Sequence, residues 1–125
     1  VAQLAARARE GLDLAVTPDG PRGPRGSVEP GALLVAARAD VPIVPVGVAA
    51  RGAWRAASWD RFLVPRPLAR VWVVYGDGLP VAREDAAHAR EGCERVARAM
   101  AAAEADAEAY ASGRRSEPAG GREAA

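Results

Sequence analysis

The sequence predicts an α/β fold, part of a mixed or mostly parallel sheet flanked by helices. Three observations lead there. Segments with helical spacing alternate with short runs rich in β-branched residues. One of those runs, residues 41–48, is apolar on both faces, as in strands covered from both sides. A stretch dense in proline and glycine joins the end of one strand-like run to the start of a helix.

The elements follow in order. Leu4, Ala5, Ala8 and Arg9 sit among good helix formers, and Gly11 supplies a stop just past them. Leu12-Asp13-Leu14-Ala15-Val16-Thr17 alternates in the manner of a strand, and Pro18 ends it because proline cannot donate to a ladder. Residues 18–31 alternate proline with glycine, which predicts a loop of restricted φ. Pro30 suits the first position of a helix that runs through Leu33, Leu34 and Ala37 to about Ala39. Val41-Pro42-Ile43-Val44-Pro45-Val46-Gly47-Val48 is the second strand; Pro45 within it implies an edge, a bulge or a sheet end. After an irregular segment, Val71-Trp72-Val73-Val74-Tyr75 is a third strand, ended by Gly76-Asp77-Gly78.

From residues 84 to 112 the spacing is helical. Cys93, Val96, Ala97, Met100, Ala103, Ala107 and Tyr110 form one apolar stripe, with Gly92 as a weak point of about 1 kcal/mol relative to alanine. Gly113 is a natural stop, and 113–125 is expected to be a disordered tail. Residues 1–112 are then the C-terminal part of one domain. The chain opens at Val1 inside a helical pattern, without a methionine, so the first half of that domain is expected upstream.

Composition narrows the function. Among 125 residues, 17 basic and 16 acidic groups leave a net charge of +1, which argues against nucleic acid as a partner. Every basic residue is arginine. The single cysteine, Cys93, excludes an internal disulfide and a cysteine-based zinc site, and no metal is expected. Lying on the apolar stripe, Cys93 is read as a small buried hydrophobe. No stretch reaches the ~18 consecutive apolar residues of a membrane span.

The informative stretch is Val16-Thr17-Pro18-Asp19-Gly20-Pro21-Arg22-Gly23-Pro24-Arg25-Gly26. In open α/β sheets, ligands bind beyond the carboxyl ends of strands. Arg22 and Arg25 stand on a loop stiffened by Pro21 and Pro24, and a guanidinium matches phosphate oxygens bidentately. Gly20 and Gly23 allow close backbone approach or positive φ. The chemistry is that of an anion-binding loop; an ordinary proline–glycine turn with two solvated arginines has the same pattern.

This stretch resembles the third sequence block of the lysophospholipid and glycerol-phosphate acyltransferase superfamily, Phe-Pro-Glu-Gly-Thr-Arg. Pro18, Gly20 and Arg22 match it, and Asp19 takes the place of glutamate. Thr17 and Pro21 depart from it and resemble a branch with a Thr-Pro-Asp-Gly-Pro-Arg-Gly-Pro run. Pro30-Gly31, the 42–46 segment, Ser58-Trp59-Asp60-Arg61-Phe62 and Val73-Val74-Tyr75-Gly76 continue the likeness over roughly residues 10–80. The resemblance implies an O-acyltransferase of lipid metabolism, membrane-associated at the cytoplasmic face and without a cofactor. Its donor would be an acyl thioester, from acyl-CoA or acyl carrier protein, and its acceptor a phosphate-bearing lysophospholipid. Arg22 would hold the acceptor phosphate, Pro18, Asp19 and Gly20 would shape the pocket, Arg25 would stand beside it, and Pro45 would mark the fourth block. Asp19 is equally suited to capping its own loop.

The superfamily reaction uses a His-x-x-x-x-Asp motif, with the histidine as general base on the acceptor hydroxyl. The single histidine here, His88, is followed at that spacing by Cys93, and Glu84 and Glu91 flank it on a helix. It is read as a solvated residue, so no catalytic residue is assigned and the motif is expected upstream. The alternative is a non-catalytic phosphate- or lipid-binding member that has lost its base. Finally, Trp54, Trp59 and Phe62 are interleaved with Arg51, Arg55 and Arg61. That pattern admits a peripheral membrane contact, but the favoured expectation is that the aromatics pack inward.

Overall fold

A computed structural model describes residues 1–19, 26–58 and 62–116. Helix α1 (Ala2–Arg9) ends as expected at Gly11, whose φ of 85° is open to glycine at little cost. The N–H groups of Gly11 and Leu12 turn back to the carbonyls of Ala8 and Arg7, the paired bonds of a Schellman cap. Helix α2 (Pro30–Ala39) carries its proline in the first turn and stops at Asp40, which takes a left-handed φ of 58°. Aspartate tolerates that region better than most side chains. The two helices meet through Ala5, Ala8 and Ala39, with Leu14 and Val41 packed beside them. Arg9 reaches across to cap α2, its Nε donating to the Arg38 carbonyl at 3.1 Å.

Strand β1 (Val46–Ala50) pairs antiparallel with β4 (Val71–Tyr75), Val48 facing Val73. Beyond Pro45 the pairing resumes once, where Ile43 and Leu79 exchange both hydrogen bonds. Pro45 therefore stands just before β1, where its missing N–H takes no bond from the ladder, and its carbonyl accepts the Gly76 N–H at 2.8 Å.

Between β1 and β4, the segment expected to be irregular forms a second antiparallel hairpin, β2 (Ala53–Arg55) with β3 (Leu63–Pro65). The whole excursion, 51–70, is pinned at its base by the Arg51 N–H bonded to the Arg70 carbonyl at 3.0 Å. This explains why the described strands are antiparallel rather than mostly parallel. A parallel neighbour requires a crossover connection, usually helical, whereas the described part of the segment between β1 and β4 is a hairpin that returns to the end where it left. Nor does 12–17 form a ladder among the described residues. Leu14 leans on the α1–α2 cluster while Leu12 and Val16 stay exposed, and Thr17 stands across a cavity from β1. The architecture is mixed α and β.

The expected terminal helix divides in two, α3 (Arg83–Ala87) and α4 (Ala89–Ala111), with His88 at the break (φ −103°, ψ 52°). The Asp85 carboxylate accepts the Ala82 N–H at 2.8 Å and so satisfies one free donor at the start of α3. On α4 the predicted stripe is the buried one, with Cys93, Val96, Ala103 and Ala107 facing inward. Gly92 has a positive reason to be glycine. A Cβ there would come within 3.0 Å of Leu33 Cδ1 and 3.1 Å of the Asp85 carbonyl. The main core gathers Leu33, Ala36, Ala37, Val81, Cys93 and Val96 between α2 and α4. Burial, with the charge of Glu29 second, pushes the Cys93 thiol up and keeps it protonated.

Helix α4 lies across the β1–β4 ladder, and β1 is shaped for it. Gly47 and Ala49 face the helix, and a Cβ on Gly47 would overlap the main chain at Ala103. The opposite face leaves Val46, Val48, Val71, Val73 and Tyr75 exposed. Residues 41–48 are thus covered on one side among the described residues, not both, because the helices that pack on the ladder all lie on the glycine side. Past Gly113 (φ 75°) the chain folds back. Arg115 pairs with Asp106 at 2.6 Å and its guanidinium lies 5.3 Å from the Tyr110 ring. The rest of the 113–125 tail lies outside the described residues.

Candidate functional site

Strand-like residues 12–17 deliver Pro18 and Asp19 to the edge of a cavity of about 430 Å³. The Glu29 N–H donates to the Pro18 carbonyl at 2.8 Å and closes the loop at its base. That single bond brings the returning arm, Gly26 and Ser27, back to the same rim. Gly26 takes a φ of 81°, so glycine is needed where the chain turns toward α2.

The far wall comes from the ladder and from α4: Val46, Gly47 and Val48 on one side, Ala97, Met100 and Glu104 on the other. The cavity is amphiphilic. Its wall is largely aliphatic and thioether, and its rim carries Asp19, Glu104 and the Ser27 hydroxyl. Ser27 Oγ is buried with no hydrogen-bond partner among the described residues, a desolvated group whose cost a polar ligand atom would recover. Among the described lining residues there are two carboxylates and no cation. Pro18 and Asp19 line the cavity. Gly20, Arg22 and Arg25 lie outside the described residues, between the two arms that reach it. Pro45 is buried one residue from the cavity wall.

Sequence reasoning missed the α4 contribution. Ala97 and Met100 belong to the stripe read as core, and Glu104 lies one turn beyond Met100 on the same helix face. The signal was present in the spacing, but it does not distinguish a core wall from a cavity wall.

A second cavity of about 300 Å³ holds Glu84, Asp85, His88, Glu91, Gly92, Arg95 and Arg98. Its groups are engaged with one another. Arg95 bonds the Pro80 carbonyl at 2.8 Å and Asp85 at 3.1 Å. His88 Nδ1 lies 3.1 Å from the Glu84 carbonyl, on an exposed ring. The Asp85 carboxyl is held below its ordinary value, chiefly by the Ala82 N–H and, against a desolvation cost, by the Arg95 guanidinium. Both of those bonds fall on Asp85 Oδ2, and the hydrogen bond of the His88 ring is to a main-chain carbonyl rather than to a carboxylate. Among the described residues no group of three or more carboxylate, histidine or cysteine side chains is placed to hold a metal ion.

No family model and no solved structure matches the chain. The uncharacterized protein RP090 of Rickettsia prowazekii (strain Madrid E) is 31% identical over 70 residues, covering 56% of this chain and 32% of that protein. The match therefore spans about a third of the relative's length.

Proposed function

We propose that this chain is the acceptor-binding part of an O-acyltransferase that moves an acyl chain from a thioester to the hydroxyl of a phosphate-bearing, lysophospholipid-like acceptor. The observation that carries the reading is the joining of both arms of the proline–glycine loop at one amphiphilic cavity. An amphiphile with an anionic group needs an apolar wall and a cation beside it. Val46, Val48 and Met100 supply the first, and Arg22 and Arg25, which lie between the two arms in sequence, would supply the second. Residues 12–17 and β1 would be parallel neighbours in a mixed sheet.

In the reaction, the acceptor oxygen attacks the thioester carbonyl and the thiol leaves. The proton of the hydroxyl passes to a histidine expected in the upstream block. The residues of this chain bind and orient; they do not take that proton. Peripheral attachment at the cytoplasmic membrane face would bring lipid acceptors to the cavity.

The test is Arg22→Ala and Arg25→Ala in the full-length protein, assayed with acyl-CoA and lysophospholipid acceptors. A charge-assisted contact is worth about 1.5–3 kcal/mol, so acceptor KM should rise about ten-fold or more for Arg22→Ala. An unchanged KM and kcat would sink the assignment.

A further inference from the structure

The net charge of +1 conceals a segregation. Residues 51–70 hold five arginines and one aspartate, so the remainder of the chain is acidic on balance. Those same residues form the excursion pinned between Arg51 and Arg70. Its hairpin has two unlike faces. Trp54 pairs across the strands with Val64, and strand alternation puts Phe62 and Arg66 on the same side. Trp54 is 56% exposed and Phe62 63% exposed, so the expectation that the aromatics pack inward is overturned for these two, while Trp59 lies outside the described residues. The Arg66 guanidinium lies 5.2 Å from the Trp54 ring centre, a cation held against an indole at the surface. On the other face Arg55 is tied to Glu108 of α4 at 2.7 Å, which fixes the hairpin with its aromatic side outward.

The following turn adds an independent observation. The Ala69 N–H bonds the Arg66 carbonyl at 2.9 Å, with Pro67 and Leu68 between. Leu68 occupies the third position with φ 64°, where such turns favour glycine, and its side chain is fully exposed. A strained, wholly exposed leucine serves neither the turn nor the core, and strain of this kind gathers at binding elements.

We propose that the 51–70 excursion docks on an anionic lipid surface. Trp54, Phe62, Val64 and Leu68 would enter the headgroup boundary while Arg66 meets lipid phosphate. Indole and phenyl rings favour that depth, and arginine beside them supplies attraction to anionic headgroups. No described helix is long and apolar enough to cross a membrane, so this contact is peripheral in kind. The proposal does not rest on the acyltransferase reading, and its test measures no turnover, so the two fail separately.

The experiment is co-sedimentation of the intact protein with phosphatidylcholine vesicles, with and without phosphatidylglycerol. Binding should require the anionic lipid and weaken as salt is raised. Trp54→Ser with Phe62→Ser should lower the partition coefficient about ten-fold or more, and Arg66→Glu about five-fold or more. Leu68→Gly, which relieves the backbone rather than straining it, should also weaken binding while the protein stays folded by circular dichroism. Binding that persists in the Trp54/Phe62 variant or in Leu68→Gly, or that ignores the anionic lipid, overturns the proposal. So does capture of mixed-sequence RNA in place of vesicles.

Discussion

β1 and β4 expose Val46, Val48, Val71, Val73 and Tyr75 on one side, while the excursion between them exposes Trp54, Phe62 and Val64 around Arg66. Both surfaces are apolar and they lie a few residues apart in sequence, yet they are built on opposite terms. The ladder is tied to the core. Its inner face is cut down to Gly47 and Ala49 so that α4 can lie against it. The excursion gives no side chain to either buried cluster among the described residues. Trp54, Phe62 and Val64 are therefore free of the packing constraint that governs β1. Stability should belong to one region and surface recognition to the other.

The largest expected effect tests the ladder. Gly47→Val must displace α4 at Ala103, and overpacking of this kind costs about 1–3 kcal/mol, with backbone overlap at the upper end. Phe62→Ala, on the excursion, should stay within about 0.5 kcal/mol. Urea midpoints measured side by side decide it: comparable losses in the two variants would abolish the distinction between the regions.

A smaller effect concerns the charged anchor where α3 meets α4. The Asp85 carboxyl is held below its ordinary value of 3.8 by the Ala82 N–H first and Arg95 beside it. A group whose pKa is lowered on folding stabilises the fold above its unfolded pKa, and that contribution disappears as pH falls through the folded value. Melting temperature should accordingly decline below pH ~4, and Asp85→Asn should flatten that decline while leaving vesicle binding unchanged.

The smallest is Leu68→Gly. Releasing a left-handed φ returns about 1–2 kcal/mol, offset by about 0.5–1 kcal/mol of extra chain entropy in glycine. A net gain between zero and about 1.5 kcal/mol by thermal melt is expected, in the same variant whose lipid contact is weakened. A clear loss of stability would mean that Leu68 packs, against its exposure.

Helices were legible in the sequence because their signals are local. Gly11, Pro30 and the Cys93–Tyr110 stripe each declare a terminus or a face through neighbours three or four residues away. The break at His88 was not, since it follows from Asp85 capping a separate short helix. Strand direction was hidden as well. Whether two strands run parallel depends on what joins them, and residues 51–70 carry no strong strand pattern around their arginines. The same holds for the cavity: Pro18 and Asp19 stand out by composition, whereas Met100 and Glu104 reach it only because α4 crosses β1 at Gly47. Trp54 and Phe62 were misjudged because composition does not tell which side of a hairpin faces water.

The hydrogen bond between Arg51 and Arg70 has a consequence for how this chain can change over time. It sets the two ends of the excursion at strand spacing whatever lies between them. Closing a longer or shorter segment alters the loop-closure cost by only about 0.6 kcal/mol per doubling of length. Insertions and deletions between those two residues therefore leave the register of Val48 on Val73 intact. Relatives should differ in length here more readily than anywhere in the ladder, and the surface they present can be exchanged without rebuilding the fold that carries it.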